Sequence, residues 1–456
     1  MVLVAVAMIA IIAMAAWSID LVTLYLAKEE AQRAADAGAL TAARVISVSG
    51  ITTTASMSDT TAWQSICGAA GTATQAAQAA GGQNSVGSIS PTVITVTYNV
   101  GTGGSGTGSS DCSGLPSTFA INPLVTVLIQ RAALPTFFSR IWGNRGNSVS
   151  ATATAEVFNP SASENSGSSG AVTPVQPRCV KPWMVPNQDP GNTGKPFVSP
   201  ADGAIQNPGI VFNQSTSGPV IGETFYLLAD CQAGTPCALV TVPPQANAPP
   251  ATGFGAGYPG PINLEYLPGE APASSVAVPA CASGSLYQQA VAGCDQSTAY
   301  QCGVSIANAS LPNAVDLSEN PGGSSGDTAT GLSCSLTSQS SPPLAGQDVL
   351  DTSAYPFKIT AGSANPYKIT SSTQITASNS IVSLPIYDTG PTFVGTAPIP
   401  VTIVGFLQVF VNSIDPFGNV NVTVLNVAGC GNGVPATSNT AVNGSSPVPV
   451  RLITSP

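Results

Sequence analysis

The chain has 456 residues, a net charge of −10, 7% charged side chains and 43% hydrophobic ones, with 46 Gly and 39 Pro. It contains no His, which removes the commonest general base, the commonest metal ligand and the Ser/His triad, so most hydrolase and zinc readings lose their usual residues. No basic residue occurs between Lys195 and Lys358, so a phosphate backbone finds no footing there and nucleic acid is excluded as a partner.

Met1–Leu26 carries only Ser18, Asp20 and Thr23 as strongly polar side chains, and no Gly or Pro interrupts the chain before Gly38. At about 1.5 Å per residue this run is long enough to cross a hydrocarbon core of about 30 Å. A signal peptide has an apolar region of only about 7–15 residues, so the length favours an uncleaved anchor. The helix is expected to continue, because Lys28, Glu29, Glu30, Gln32, Arg33, Ala34, Ala35 and Ala39 are good helix formers. Asp20 reads either as an interfacial acid beside Trp17 and Tyr25 or as a group paired with a partner helix.

Lys28, Arg33 and Arg44 alone would place this stretch in the cytoplasm. The neighbouring Glu29, Glu30 and Asp36 oppose that, and so do ten cysteines, all beyond the apolar run. The expected arrangement is a cytoplasmic N-terminus with the body outside, with a short basic segment preceding Met1 in the precursor.

The run Trp17–Ala43 resembles the N-terminal segment of the TadG/TadE-like proteins of Flp (tight adherence, Tad) pilus assembly. Trp17, Asp20, Tyr25, Gln32, Ala34, Ala35, Asp36, Ala37, Ala39 and Leu40 carry the resemblance: a hydrophobic helix, an Asp near its end, a Tyr-Leu-Ala step, then Gln-x-Ala-Ala-Asp-Ala-x-Ala-Leu. The resemblance implies an inner-membrane-anchored envelope protein with a periplasmic or extracellular body. It also implies other pilus-system proteins as partners through the N-terminal helix, and no catalysis. Two features depart from related patterns. Ala15 stands where a processed pilin needs Gly before its cut, and Asp316-Leu-Ser-Glu-Asn320 lacks the second Ser of a von Willebrand-type metal motif.

Further along, Asp59 is placed to cap a helix over residues 60–80 ended by Gly81-Gly82, with Gly68 and Gly71 as weak points. Val93–Val100 alternates as a half-buried strand, and Leu124–Gln130 is a second. A short helix over Ala133–Gly143 and a strand over Ser148–Phe158 follow. This series is also similar to the extracytoplasmic part of TadE/TadG-like proteins, which implies a long helix packed on a small antiparallel sheet.

The expected fold class is α+β: a long N-terminal transmembrane and stalk helix on that sheet, pilin-like, followed by a mainly-β, disulfide-containing C-terminal region. The expected domains are residues 1–50 (anchor and stalk), 51–158 (TadE/TadG-like α+β), 159–177 (a Ser/Gly/Pro linker) and 178–456 (β-rich, extracytoplasmic). In the last, residues 209–212, 224–229, 238–242, 380–387, 400–411 and 420–427 read as strands, the final two as neighbours across 412–419.

Cys67, Cys112, Cys179, Cys231, Cys237, Cys281, Cys294, Cys302, Cys334 and Cys430 form no Cys-x-x-Cys pair, so they read as structural disulfides of an oxidising compartment, with Cys67–Cys112 the natural first bridge. Asp348 with Asp351, or Glu265 with Glu270, are carboxylate pairs common by chance. Trp183, Phe254, Tyr258, Tyr266, Tyr287 and Tyr300 could line a sugar- or surface-binding patch, but no spacing unites them, so scattered core and loop packing is the reading favoured. No cofactor is expected. The function expected is a non-enzymatic pilus-associated envelope protein with a cell-wall or surface ligand as a further partner, the alternative being an adhesin or carbohydrate-binding module on the same stalk.

Overall fold

A computed structural model describes residues 2–49, 60–100, 108–116, 119, 123–134, 136, 138, 143, 146–157, 175–177, 180–192, 194–200, 205–207, 210–212, 218–229, 262–269, 284–293, 300, 313–316, 325–339, 345–353, 357–375, 378–388, 399–430, 440–442 and 450–453. Two units result: Met1–Ser47 with Ser56–Phe158 and Val450–Pro456, and Val48–Ala55 with Asn159–Pro449.

In the first unit, α1 runs unbroken from Val2 to Val48. The helix expected over residues 60–80 is instead two, α2 (Thr60–Cys67) and α3 (Thr72–Gln83). A Cβ on Gly71 would lie 2.5 Å from the Ile66 carbonyl oxygen, so the reversal between them tolerates only glycine. Thr74 Oγ1 fixes it by donating to the Gly68 carbonyl at 2.8 Å, and it meets the Tyr98 hydroxyl at 2.7 Å. The α3 helix continues through Gly81-Gly82, the expected stop, because Gly81 lies against Ile94 and Ile129 of the sheet. The proposed cap Asp59 is outside the described residues.

Strands β1 (Val93–Val100), β2 (Pro123–Leu134) and β3 (Asn147–Val157) form an antiparallel meander, with Val93 opposite Gln130 and Leu124 opposite Glu156. Alternate β2 residues Val125, Val127 and Ile129 are fully buried, as a strand with one covered face requires. Ala133 and Leu134 end β2 rather than starting a helix, and Ala133 adopts φ +57° where the β2–β3 register shifts. Most of the remainder of that expected helix is outside the described residues.

The Cys67–Cys112 bridge ties α2 to the short 3-10 turn Cys112–Gly114, under Trp63 and Phe119. This is the pairing expected from the sequence; it lies beside the N-terminal helices and not in the C-terminal region that the expected fold class called disulfide-containing. In the second unit Cys334 and Cys430 are each disulfide-bonded. Cys179, Cys231, Cys237, Cys281, Cys294 and Cys302 lie outside the described residues.

The second unit contains β4 (Val175–Pro177), β5 (Trp183–Pro186), β6 (Thr224–Ala229), β7 (Asn263–Pro268), α4 (Leu286–Ala292), β8 (Ala314–Val315), α5 (Ser325–Thr337), β9 (Val349–Asp351), β10 (Lys358–Thr360), β11 (Gln374–Ile375), β12 (Ile381–Tyr387), β13 (Ile399–Pro400), β14 (Ile403–Ile414), β15 (Val420–Gly429) and β16 (Thr440–Val442). Six of these close a barrel in the order β12-β14-β15-β6-β7-β5. The expected neighbours are its longest hairpin: β14 and β15 pair antiparallel, and Asp415 closes their turn by accepting from the amides of Phe417 and Asn419.

Inside the barrel, Leu407, Val409, Val411, Val422 and Val424 meet Trp183, Leu227 and Tyr266, and α4 and α5 add Tyr287, Val291, Leu332 and Leu336 to the same core. Residues 238–242, expected as a strand, are outside the described residues. Strand β17 (Val450–Ile453) belongs to the first unit, where it pairs antiparallel with β3 from Val450 opposite Val157 to Ile453 opposite Thr154. Residues 450–453, read in sequence with the 178–456 body, thus complete the sheet order β1-β2-β3-β17.

The bridge closes a loop of 45 residues. Replacing Cys67 and Cys112 together by Ser is expected to cost about 2–4 kcal/mol, chiefly by freeing the unfolded chain. The shift in midpoint of a thermal melt of the detergent-solubilised protein measures it.

Candidate functional site

The N-terminal part of α1 is apolar on every side and exposed: Leu3, Val6, Met8, Ile9, Ile11, Ile12 and Met14 all lose more than half of their possible burial, at 57–83% exposure. A helix hydrophobic all round has no stable home in water. By length and composition the stretch Val6–Ser47, with a window of mean hydropathy 2.1 that is 11% buried, qualifies as a membrane span. The protein is membrane-associated through this helix.

From Ala16 onward one face of α1 is covered. Ala16, Asp20, Ala27, Ala31, Ala34, Ala35, Ala39, Ala42, Ala43 and Ile46 are buried, recurring at the three- and four-residue steps of a single helix face. Small side chains let the helix axis approach the sheet closely, and Gly38 marks the nearest point: a Cβ there would lie 3.2 Å from both the Ala77 carbonyl oxygen and Val127 Cγ1. Of the residues carrying the family resemblance, Ala34, Ala35 and Ala39 therefore serve the seat. Trp17 and Tyr25 stay exposed at 66% and 67%, and Leu40 is at the margin.

Polar groups flanking this face fix its register. Lys28 Nζ donates to the Ser150 carbonyl, and Gln32 Nε2 donates to the Thr152 carbonyl at 3.3 Å and to Asp36 Oδ1 at 2.9 Å. Four helical residues advance about 6 Å and two strand residues about 6.7 Å, so donors at positions 28 and 32 match acceptors at 150 and 152. Strand β17 covers β3 only over Thr154–Val157, and α1 serves the stretch before it. Glu30 Oε2 accepts from the Gly87 amide at 2.7 Å.

Asp20 is 6% exposed, and its Oδ2 accepts from the Phe138 amide at 3.1 Å. It lines a small cavity of about 160 Å³ with Thr23, Leu24, Ala27, Gly87, Ser88, Leu134 and Asn147. Lys28, Glu30, Gly38 and Phe138 escaped sequence reasoning. The alanine spacing was a visible signal for the seat, but nothing in the sequence pairs position 20 with 138.

The other candidates have structural employment. Asp348, 3% exposed, accepts from the Gly362 amide, Asn365 Nδ2 and the Ser378 hydroxyl, so it staples three loops together. Asp351 is exposed and is held below the usual carboxylate range by the Ser353 hydroxyl and amide. Trp183, Tyr266, Tyr287 and Tyr300 are buried in core clusters, as the favoured core-packing reading expects and not as a surface patch; Phe254, Tyr258 and Glu270 are outside the described residues. Among the described residues no three His, Cys, Asp or Glu gather as a metal site.

Two buried charges stand apart. Lys181 donates to the carbonyls of Val291 and Gly293 at 2.6 and 2.7 Å, at the C-terminal end of α4, and burial lowers it to about 8. Glu223 is 3% exposed, and neither carboxyl oxygen has a well-formed hydrogen bond. Burial first, and then the adjacent Asp189 carboxylate, push it up to about 9. Asp189 is satisfied by the amides of Gly191 and Asn192 and by the side chains of Asn192 and Asn207.

Residues 1–45 match the family described as putative Flp pilus-assembly TadE/G-like. The match ends within α1, so it covers the apolar span and the motif face but none of the sheet or the barrel. No curated protein and no solved structure shows significant similarity to the chain. Together with the helix, the match supports a membrane-associated envelope protein of structural character.

Replacing Gly38 by Val is expected to destabilise the first unit by about 1–3 kcal/mol, because the seat cannot widen at Val127 without losing its other contacts; the thermal midpoint reports it. For Glu223 the sign follows from its raised folded value. The unfolded chain releases this proton in the ordinary carboxylate range and the folded chain only near 9, so stability falls as pH rises between the two. Glu223→Gln should remove that slope and raise stability at pH 7 by about 1–3 kcal/mol, measured as melting midpoints from pH 5 to 9.

Proposed function

We propose that the protein is a non-enzymatic component of a Flp/Tad pilus system, anchored in the inner membrane by α1 with its N-terminus in the cytoplasm and its body outside. The observation that carries this reading is the coincidence of the family match with the helix: the residues matched are those that form the apolar span and seat the first unit. A body with no free thiol among its described cysteines suits an oxidising compartment.

The helix is the element through which other pilus-system proteins are met. Ala7, Ala10 and Ala15 are exposed in the span, and small residues there let another apolar helix approach closely. Ala16 is occupied by the chain's own fold and is not part of that surface. Asp20 is engaged by the Phe138 amide, which favours a positioning role within the protein over an ion pair with a neighbouring helix. The barrel unit is the part presented to a filament, the cell wall or a surface.

Deletion of the gene should abolish or strongly reduce Flp filaments, and the tagged protein should co-purify from membranes with other products of the pilus operon. Intact filaments in the deletion strain, with unchanged adhesion, would sink the assembly reading.

A further inference from the structure

Two carboxyl groups of the second unit meet over one glycine. The Gly191 amide donates to Asp189 Oδ1 at 3.0 Å, and a Cβ on Gly191 would overlap Glu223 Oε1 and lie 2.7 Å from Glu223 Cδ. Glycine at this position is what lets the second carboxyl come so near the first. Both acids are out of the water, Asp189 at 1% exposure and Glu223 at 3%. Lys195 is on the exposed side, where its Nζ donates to Asn207 Oδ1 at 3.3 Å rather than to either acid.

The two acids differ in what holds them. Asp189 is fixed by its own loop: Oδ1 also accepts from the Asn192 amide at 3.1 Å, and Oδ2 accepts from Asn192 Nδ2 at 2.8 Å and from Asn207 Nδ2 at 2.9 Å. Asn192 Nδ2 is anchored a second time on the Gly218 carbonyl, at 2.9 Å, whereas Asn207 reaches in from a separate stretch of chain. Glu223 has a fixed backbone, since its carbonyl accepts from the Val424 amide of β15 at 2.8 Å. Its two carboxyl oxygens, by contrast, are buried and make no hydrogen bond. A buried carboxylate beside another is costly, and such a pair needs either a shared proton or a cation.

We propose that Glu223 and Asp189 form a calcium site. Both Glu223 oxygens and Asp189 Oδ2 are ligands, and Asn207 adds an amide oxygen by turning over about its last side-chain bond, which exchanges Nδ2 for Oδ1. Asn192 keeps its side of Asp189 Oδ2, so the ion takes the side that Asn207 Nδ2 leaves, and the exposed Lys195 turns to water. Further waters complete the about six to eight oxygens that calcium accepts. Two acids are fewer than a three-acid cluster, but calcium also takes amide oxygens and water, and a set made only of hard oxygens suits it better than the softer transition metals. The ion acts as a clamp. Asp189 lies in the loop that leaves β5 and Glu223 immediately precedes β6, the two strands that flank β7 in the barrel, so calcium ties the exit of one to the entry of the other.

Thermal melts of the full-length, detergent-solubilised protein at pH 7 test this, first in EGTA and then across a calcium chloride series. The expected result is a saturable rise of the melting midpoint by roughly 3–10 °C, half complete at a calcium concentration on the order of 10⁻⁴–10⁻³ M. Glu223→Gln and Asp189→Asn are expected to lose this rise, and Asp351→Asn, at an exposed acid, to keep it. Glu223→Gln should be at least as stable as the wild type in EGTA, the metal-free condition to which the pH slope of Glu223 belongs, so its lost response is not a lost fold. A wild-type midpoint indifferent to calcium would overturn the site and leave a shared proton as the state of the pair. A rise retained by both Glu223→Gln and Asp189→Asn would put the calcium elsewhere and overturn it equally, and an equal rise with magnesium would overturn the assignment to calcium.

Discussion

The structure depends on one helix meeting two solvents. Through its N-terminal part α1 offers bulky aliphatic side chains in every direction, which suits lipid; from Ala27 to Ile46 it offers alanines and a glycine to a sheet on one side. Small residues carry little transfer energy each. What they supply is proximity, which at Gly38 allows Val127 of β2 to lose its water against the helix backbone. The polar groups at positions 28, 30 and 32 then fix the axial position of the helix on β3 and the Gly87 turn, because a slide by one residue would separate every donor from its acceptor.

The second unit follows a different physical logic. Its barrel strands are buried on both faces, with one set of side chains in the interior and another, including Met184, Leu267, Ile403 and Phe406, in an outer cluster. That accounts for much of the chain's hydrophobic content. Buried polar groups are confined to stapling roles, as at Asp348, Asp189 and Lys181, or carry a cost, as at Glu223.

Legibility in the sequence tracked locality. The α1 helix, the strands at 93–100, 224–229, 381–387 and 420–429, the β14–β15 hairpin and the Cys67–Cys112 bridge are written in residues close together or in plain periodicity. The break at Gly68–Gly71 was half legible: the glycines were visible, but not the Ile66 carbonyl that makes one of them obligatory. Barrel closure was not legible, because β5 and β7 are short and meet partners far away in the chain, two of those pairings being parallel. That Trp183, Tyr266 and Tyr287 pack in a core was the favoured reading, but the barrel they fill was not in view. Of the candidate site, the Ala face was in the pattern; the contacts of Asp20 and Lys28, more than a hundred residues away, were not.

The pairing of Val157 with Val450 gives the second unit an unusual mechanical connection to the first. Residues 159–449 of that unit follow β3 and lead back into β17 at the directly opposite residue. Tension applied through the barrel therefore acts across the open end of an antiparallel pair, loading its hydrogen bonds one after another instead of sharing the load among them. The first element to yield would be β17, and its release would uncover the β3 edge at Thr154–Val157, four residues of unpaired backbone beside the membrane stalk.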